Sequence, residues 1–229
     1  MEAGMIKEQK VEVRPALHYL VREPLKETEN PPVLILLHGV GSNERDLFSI
    51  AGKLPEEFLV LSLRGPYRLG PQRYAWYQVD FKSGKPAITH DQEAASRELL
   101  MNFINQMGEH HHFDPQRIFI GGFSQGAIMS LGLGLIHPGL FKGIIAISGR
   151  LPEELRAEFA PASELSGLSA FVTHGTHDRV LTVDYARKVQ SFLGDVGAKC
   201  FYREYNGGHG VSGEMLQDLN EWLNKSIAL

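Results

Sequence analysis

The sequence predicts an α/β fold: a mostly parallel central sheet covered by helices on both faces. Three observations predict it. Short continuous apolar runs such as VLILL, LVLSL and GIIAI read as strands buried on both sides. Longer segments with apolar residues at helical spacing alternate with them. Glycine or proline punctuates the junctions, so one element ends before the next begins.

Residues 11–22 (VEVRPALHYLVR) read as an extended opening segment, followed by a polar, proline-rich hinge, KETENPP. VLILLHG (33–39) is the first buried strand, stopped by glycine. ERDLFSIAGKLP then has helical spacing and a proline stop. FLVLSLRGP (58–66) is the second buried strand. Residues 67–89 read as a long irregular stretch with Tyr67, Tyr74, Trp76, Tyr77 and Phe81. A loop of that length points to function.

A helix is expected from Thr89 or His90, with Leu99, Leu100, Phe103, Ile104 and Met107 on one face. RIFIGGF is the third buried strand and SQGAIMSLGLGLIHP the helix after it. KGIIAISG (142–149) and SAFVTHG (169–175) are the fourth and fifth strands. VDYARKVQSFLGDVG is a helix, KCFYREY (199–205) the sixth strand and SGEMLQDLNEWLNKSIAL the final helix. About twenty residues separate the fourth strand from the fifth, too few for a large cap domain. No repeat or linker divides residues 1–229, so a single domain is expected.

The bulk composition narrows the function. The 23 Lys+Arg and 27 Asp+Glu leave a formal net charge of -4, which gives no electrostatic reason to expect nucleic acid. The single cysteine, Cys200, rules out an intramolecular disulfide and a zinc–thiolate cluster. It lies in an apolar strand, where a free thiol is an inert packing residue. The opening MEAGMIKEQKVEV has no apolar core of signal-peptide length, and no window has the apolar length of a membrane span. A cytoplasmic protein without stable membrane insertion, monomeric or homodimeric, is the expectation.

Gly122-Phe123-Ser124-Gln125-Gly126 matches the G-x-S-x-G pattern of a nucleophile elbow. Side chains at the glycine positions would collide with the neighbouring strand and helix. The turn lifts the Ser124 hydroxyl clear of the sheet and turns the following N–H groups towards a developing oxyanion. The competing reading is a tight structural turn. The strand before the serine and the helix after it favour the nucleophile.

A serine hydroxyl needs a base, and the base needs a carboxylate, in chain order Ser, Asp/Glu, His. Asp178 follows the fifth strand and His209 follows the sixth, both at carboxyl ends. The competitors are weaker. Asp184 reads as a first-turn helix charge, Asp195 lies at that helix's far end, and His137 marks a helix stop. His174 and His177 read as loop or sheet-end hydrogen-bonding residues. His110-His111-His112 read as a solvated helix terminus rather than a metal site. For the oxyanion, one donor is expected from the Gln125 N–H and the other from Val40, in the HG-x-G frame after the first buried strand.

LLHGVGSN, AWYQVDF, GGFSQGAIMSL, THGTHDRVLTV and NGGHGVSGE together resemble the phospholipase/carboxylesterase family of α/β-hydrolases. The resemblance spans roughly residues 15 to 228. It implies an α/β-hydrolase fold, Ser124 as nucleophile, His209 as general base, Asp178 as its orienting acid, and Val40 and Gln125 as oxyanion donors. Two departures stand out. Trp76-Tyr77-Gln78-Val79-Asp80 replaces the family's frequent Trp-Phe-Asp, and Ser42 stands where thioesterase members usually carry aspartate.

The expected chemistry is acyl transfer to water through a serine acyl-enzyme, with no metal or organic cofactor. Trp76 and Tyr77 are candidates for the acyl pocket, with packing against the scaffold as the alternative. His90 and Asp91 read as a helix start that could also reach the rim. Short- to medium-chain carboxylic esters are the expected small-molecule substrates. Thioesters or lysophospholipids of longer chain, and a non-catalytic ligand receptor, are the other readings.

Overall fold

The computed structural model describes residues 7–10, 17–80 and 87–228. Residues 11–16 of the expected opening segment, and Phe81, lie outside the described residues. An eight-stranded sheet runs in the order β1-β2-β4-β3-β9-β10-β11-β12. Its strands are β1 (Lys7–Lys10), β2 (His18–Arg22), β3 (Val33–Leu37), β4 (Leu59–Leu63), β9 (Ile118–Phe123), β10 (Gly143–Ile147), β11 (Ser169–Gly175) and β12 (Lys199–Tyr205). Both pairings of β2, to β1 and to β4, are antiparallel, and the strands from β4 to β12 are parallel to one another.

Every residue of β3, β4 and β10 is buried; β3 and β10 are unbroken apolar runs, and the polar residue of β4, Ser62, donates its hydroxyl to the Glu44 carbonyl. One face of the sheet is covered by α2 (His90–Gln106), α3 (Gln125–Ile136) and α5 (Asp184–Asp195) through Leu100, Phe103, Met129, Leu133, Val189 and Leu193. The other is covered by α1 (Arg45–Phe48) and α6 (Gly213–Ile227) through Leu47, Met215, Leu219 and Leu223. Between β10 and β11 lie only a 3-10 turn and the short α4 (Ala162–Leu165), so no large cap stands over the carboxyl edge.

The chain runs from β3 outward to β4, then returns to the other side of β3 as β9. This reversal opens a crevice at the carboxyl ends of β3 and β9, the place where open α/β sheets bind ligands.

Two elements differ from the sequence expectation. The segment 44–55 is not one helix but α1 followed by a 3-10 turn, Ala51–Lys53. The Ser49 hydroxyl donates to the Asp46 carbonyl and competes with helix continuation. The described residues of the stretch 67–89 are not all irregular. They form two antiparallel strand pairs, β5 (Tyr67–Gly70) with β6 (Arg73–Ala75) and β7 (Val79–Asp80) with β8 (Ala87–Ile88). The first turn is carried by Gln72 at φ 54.

Candidate active site

The crevice is built from four loops. Ser124 sits between β9 and α3 at φ 54, ψ -116, a strained conformation for a residue with a side chain. Two backbone bonds hold it there, Ser124 N–H to the Ile147 carbonyl at 2.9 Å and Ile128 N–H to the Ser124 carbonyl at 3.1 Å. A side chain at Gly126 would overlap the Leu37 carbonyl, and one at Gly122 would strike Gly126 and Leu37. The glycines bracketing the serine therefore let α3 lie directly on β3.

The acid and histidine loops are stitched together. Thr176 N–H donates to the Tyr205 carbonyl at 2.8 Å and His177 N–H to the Gly207 carbonyl at 2.9 Å. Gly175 lies so close to Gly207 and Gly208 that no side chain fits between them. The result is a continuous hydrogen-bonded run. His209 Nε2 is 2.9 Å from Ser124 Oγ, and His209 Nδ1 is 2.6 Å from Asp178 Oδ2. The other carboxylate oxygen accepts from the N–H groups of Val180 at 2.8 Å and Leu181 at 2.9 Å.

Burial alone would raise the Asp178 carboxyl. The His209 hydrogen bond and the two amides outweigh it and hold the group below the usual carboxylate range. Ser124, Asp178 and His209, far apart in sequence, thus meet within hydrogen-bonding distance.

The loop after β3 brings Val40 to the same crevice. Buried His38 fixes its geometry: Nε2 accepts from Gly65 N–H at 2.9 Å, which leaves Nδ1–H to donate to the Gly39 carbonyl at 2.7 Å. Burial lowers the basicity of this ring and keeps it neutral. Ser42 N–H also donates to the Gly39 carbonyl, at 3.2 Å. With that carbonyl held, the Val40 N–H of the same planar peptide unit points the opposite way. Gly41 at φ 80 completes the turn and is tied to Tyr74 of β6. Among the described residues, neither the Val40 nor the Gln125 N–H has an acceptor.

Trp76 and Tyr77 differ from the expected pocket wall. They are 0% and 1% exposed and belong to the core. Trp76 Nε1–H donates to the His38 carbonyl at 3.0 Å. The buried Gln125 side chain accepts from Trp76 N–H at 2.9 Å and donates to the Tyr77 carbonyl at 2.8 Å. The Trp76 indole thus braces the loop that carries Val40, and the backbone of Trp76 and Tyr77 braces the serine turn through the Gln125 side chain. The bracing roles of the Gln125 side chain and of His38 are what the sequence reading missed. Their only signals are adjacency to Ser124 and to Gly39.

Other expectations also meet the structure. His174 lies near the end of β11, fully buried and hydrogen-bonded to the Leu181 carbonyl, as the sheet-end reading has it, while His177 is in the loop beyond. His111 is not solvated; it is buried against Tyr19, whose hydroxyl lies 3.0 Å from Nε2, while His110 and His112 are exposed. Thr89, not His90 or Asp91, occupies the cap position of α2, and it makes no side-chain cap bond. Burial pushes the Cys200 thiol up to about 11, consistent with a packing role. Among the described residues no group of three or more His, Cys, Asp or Glu is arranged to hold a metal ion. None of the described helices is long and apolar enough to cross a membrane.

Comparison with known proteins bears on the same architecture. The carboxylesterase of Bacillus cereus superposes with a TM-score of 0.78 at 23% identity, covering 92% of this chain and 94% of that one. A carboxylesterase from Mesorhizobium loti gives 0.78 at 20% identity, covering 95% and 98%. At those identities the likeness is one of fold. In sequence, the putative hydrolase MhqD of Bacillus subtilis is 27% identical over 197 residues, 85% of this chain and 94% of the relative. Acyl-protein thioesterase 1 of Eremothecium gossypii is 36% identical over 206 residues, 84% and 87%. The family model described as phospholipase/carboxylesterase matches residues 21–227, nearly all of the described sheet and its helices. The chain is therefore a hydrolase enzyme of the α/β-hydrolase fold and belongs to the phospholipase/carboxylesterase family.

Proposed function

We propose that the protein hydrolyses carboxylic esters of short to medium acyl chain through an acyl-enzyme on Ser124. The observation that carries this reading is the unbroken run of hydrogen bonds from Ser124 Oγ through His209 to Asp178 at a strained strand-to-helix turn. His209 Nε2 takes the Ser124 proton as Oγ attacks the ester carbonyl carbon. The oxyanion is received by the N–H groups of Val40 and Gln125. The tetrahedral adduct collapses, the C–O bond to the leaving group breaks, and His209 returns the proton to the departing alkoxide. Water, deprotonated by the same nitrogen, then cleaves the acyl-enzyme and frees the acid. Asp178 holds the imidazole with Nδ1–H inward and Nε2 towards the serine. The cycle balances without metal or organic cofactor.

The open carboxyl edge, with no large cap, suits small esters, and Ser42 departs from the aspartate of thioesterase members. The second reading is a thioesterase or lysophospholipase for longer chains. It draws support from the relative whose name is acyl-protein thioesterase 1.

The deciding experiment reacts the purified protein with a fluorophosphonate probe and measures p-nitrophenyl ester turnover by acyl length. Ser124→Ala and His209→Ala are each expected to abolish labelling and to lower kcat by about 10⁴-fold or more. A preference for acetyl to hexanoyl esters supports the carboxylesterase; octanoyl and longer supports the second reading. A wild-type protein neither labelled nor active would reject the triad and leave a non-catalytic ligand receptor.

A further inference from the structure

His174 lies directly behind the acid of the site. Its ring is 0% exposed, and Nε2 is 2.7 Å from the Leu181 carbonyl and 3.1 Å from Asp178 Oδ2. Both facing atoms only accept hydrogen bonds, so Nε2 must carry the proton, shared between them. Oδ2 is the same oxygen that faces His209 Nδ1. One carboxylate oxygen is thus placed between two imidazoles, one towards the serine and one towards the interior.

The far nitrogen of His174 is left over. Among the described residues, Nδ1 is buried with no hydrogen-bond partner, and the hydroxyl of Ser148 is in the same condition. The two residues are neighbours. Ile147 pairs with Thr173 in the parallel register of β10 and β11, and Ser148 N–H donates to the Thr173 carbonyl at 2.9 Å. Continuing that register past the strand end sets the Ser148 backbone opposite His174. Ser148 adopts φ 53, a strained conformation for a fully buried serine. An acceptor nitrogen and a donor hydroxyl, both desolvated and both orphaned, are complementary.

We propose that Ser148 and His174 are positioning residues for the acid of the site. The Ser148 hydroxyl turns about its Cβ to donate to His174 Nδ1, and His174 Nε2–H holds Asp178 Oδ2 where it orients His209. The arrangement is a second serine–histidine arm on the same carboxylate, pointing inward and never touching substrate. It rests on the Ser124–His209–Asp178 reading above. Its physical effect is to fix the carboxylate plane and to spread the charge that His209 meets.

The test compares His174→Phe, His174→Gln and Ser148→Ala with Ser124→Ala and wild type, all as the full chain. The readouts are kcat and KM for p-nitrophenyl butyrate and the low-field proton resonance of the His209 Nδ1–H, assigned by its loss in His209→Ala. His174→Phe is expected to lower kcat about 30-fold with KM changed less than about threefold. Glutamine, whose amide nitrogen reaches the place of Nε2, is expected to restore all but about fivefold. Ser148→Ala should cost about fivefold in kcat and shift the resonance.

Folded His174→Phe and Ser148→Ala variants with kcat within about twofold of wild type and an unmoved resonance would overturn the proposal. Should the phenylalanine variant not fold by circular dichroism, kcat and the resonance in Ser148→Ala decide in the same way. Ser124→Ala separates the two levels. If it retains turnover, the underlying triad reading is wrong; if it is inactive while the His174 and Ser148 variants are unaffected, only the positioning role fails.

Discussion

Asp178 shows how one residue ties chemistry to stability. It is 5% exposed, and its two oxygens are met by His209, His174 and the amides of Val180 and Leu181. These donors favour the charged form more than burial opposes it, so the folded carboxyl titrates below its unfolded counterpart. The sign of the linkage follows. The stabilisation is fully present above about pH 4, where the unfolded carboxyl is ionised, and is lost as pH falls through the lower folded value. Asp178→Asn should therefore melt below wild type at neutral pH by a margin that shrinks in acid. Thermal melts from neutral pH to about pH 3 check this, and a margin constant over that range would sink it.

Gln125 makes a comparable case without charge. Gln125→Met keeps the length but strands the Trp76 N–H and the Tyr77 carbonyl in the core, at about 1–3 kcal/mol for each buried group left unpaired. A chemical denaturation midpoint equal to wild type would show that the brace is dispensable.

At the scale of elements, the serine turn depends on how closely α3 approaches β3. The contact at Gly126 is to the Leu37 backbone, which cannot swing aside as a side chain could. Gly126→Ala is expected to cost about 3 kcal/mol or more, or to prevent folding. Gly194 is the control. It is exposed near the end of α5, and an added methyl meets nothing within 4 Å, so Gly194→Ala should stabilise by about 0.4–1 kcal/mol. Equal effects from the two substitutions would refute the steric account.

The same elements show what the sequence made legible. The buried strands declared themselves because unbroken apolar runs have no other stable use in a chain with these breakers. The strand pairs β5–β6 and β7–β8 did not. Their strands are only two to four residues long, and the first turns on Gln72 rather than on glycine or asparagine. Ser124, Asp178 and His209 could be picked out because each follows a strand in the order the chemistry requires. The supporting shell was not legible in this way. Tyr77 and Trp76 looked like pocket aromatics because sequence carries no record of which way a ring faces. His174 looked like an ordinary sheet-end residue because Asp178, only four residues on, is turned back to it by a loop that is held by Tyr205 and Gly207, far away in sequence.

For the molecule as a whole, the question is whether both layers of helix depend on one sheet. The two cores on either side of it share no buried side chain, yet they alternate along the same strands: Val33, Ile35 and Leu37 face one, Leu34 and Leu36 the other. Neither core can form unless those strands are paired. We therefore propose that residues 1–229 fold as one domain, with both faces lost together. The two tryptophans report the faces separately. Trp76 lies in the core under α2 and α3, and Trp222 of α6 packs against Phe119 and Phe171 on the opposite side. Single-tryptophan variants Trp76→Phe and Trp222→Phe, each unfolded in urea, isolate the two signals. For each variant, the fluorescence transition is expected to coincide with the loss of far-ultraviolet circular dichroism, as two-state unfolding demands. A fluorescence transition displaced from the circular dichroism of the same variant would mean that one helical layer separates from the sheet before the other. The chain would then behave as two cooperative units built on a shared set of strands.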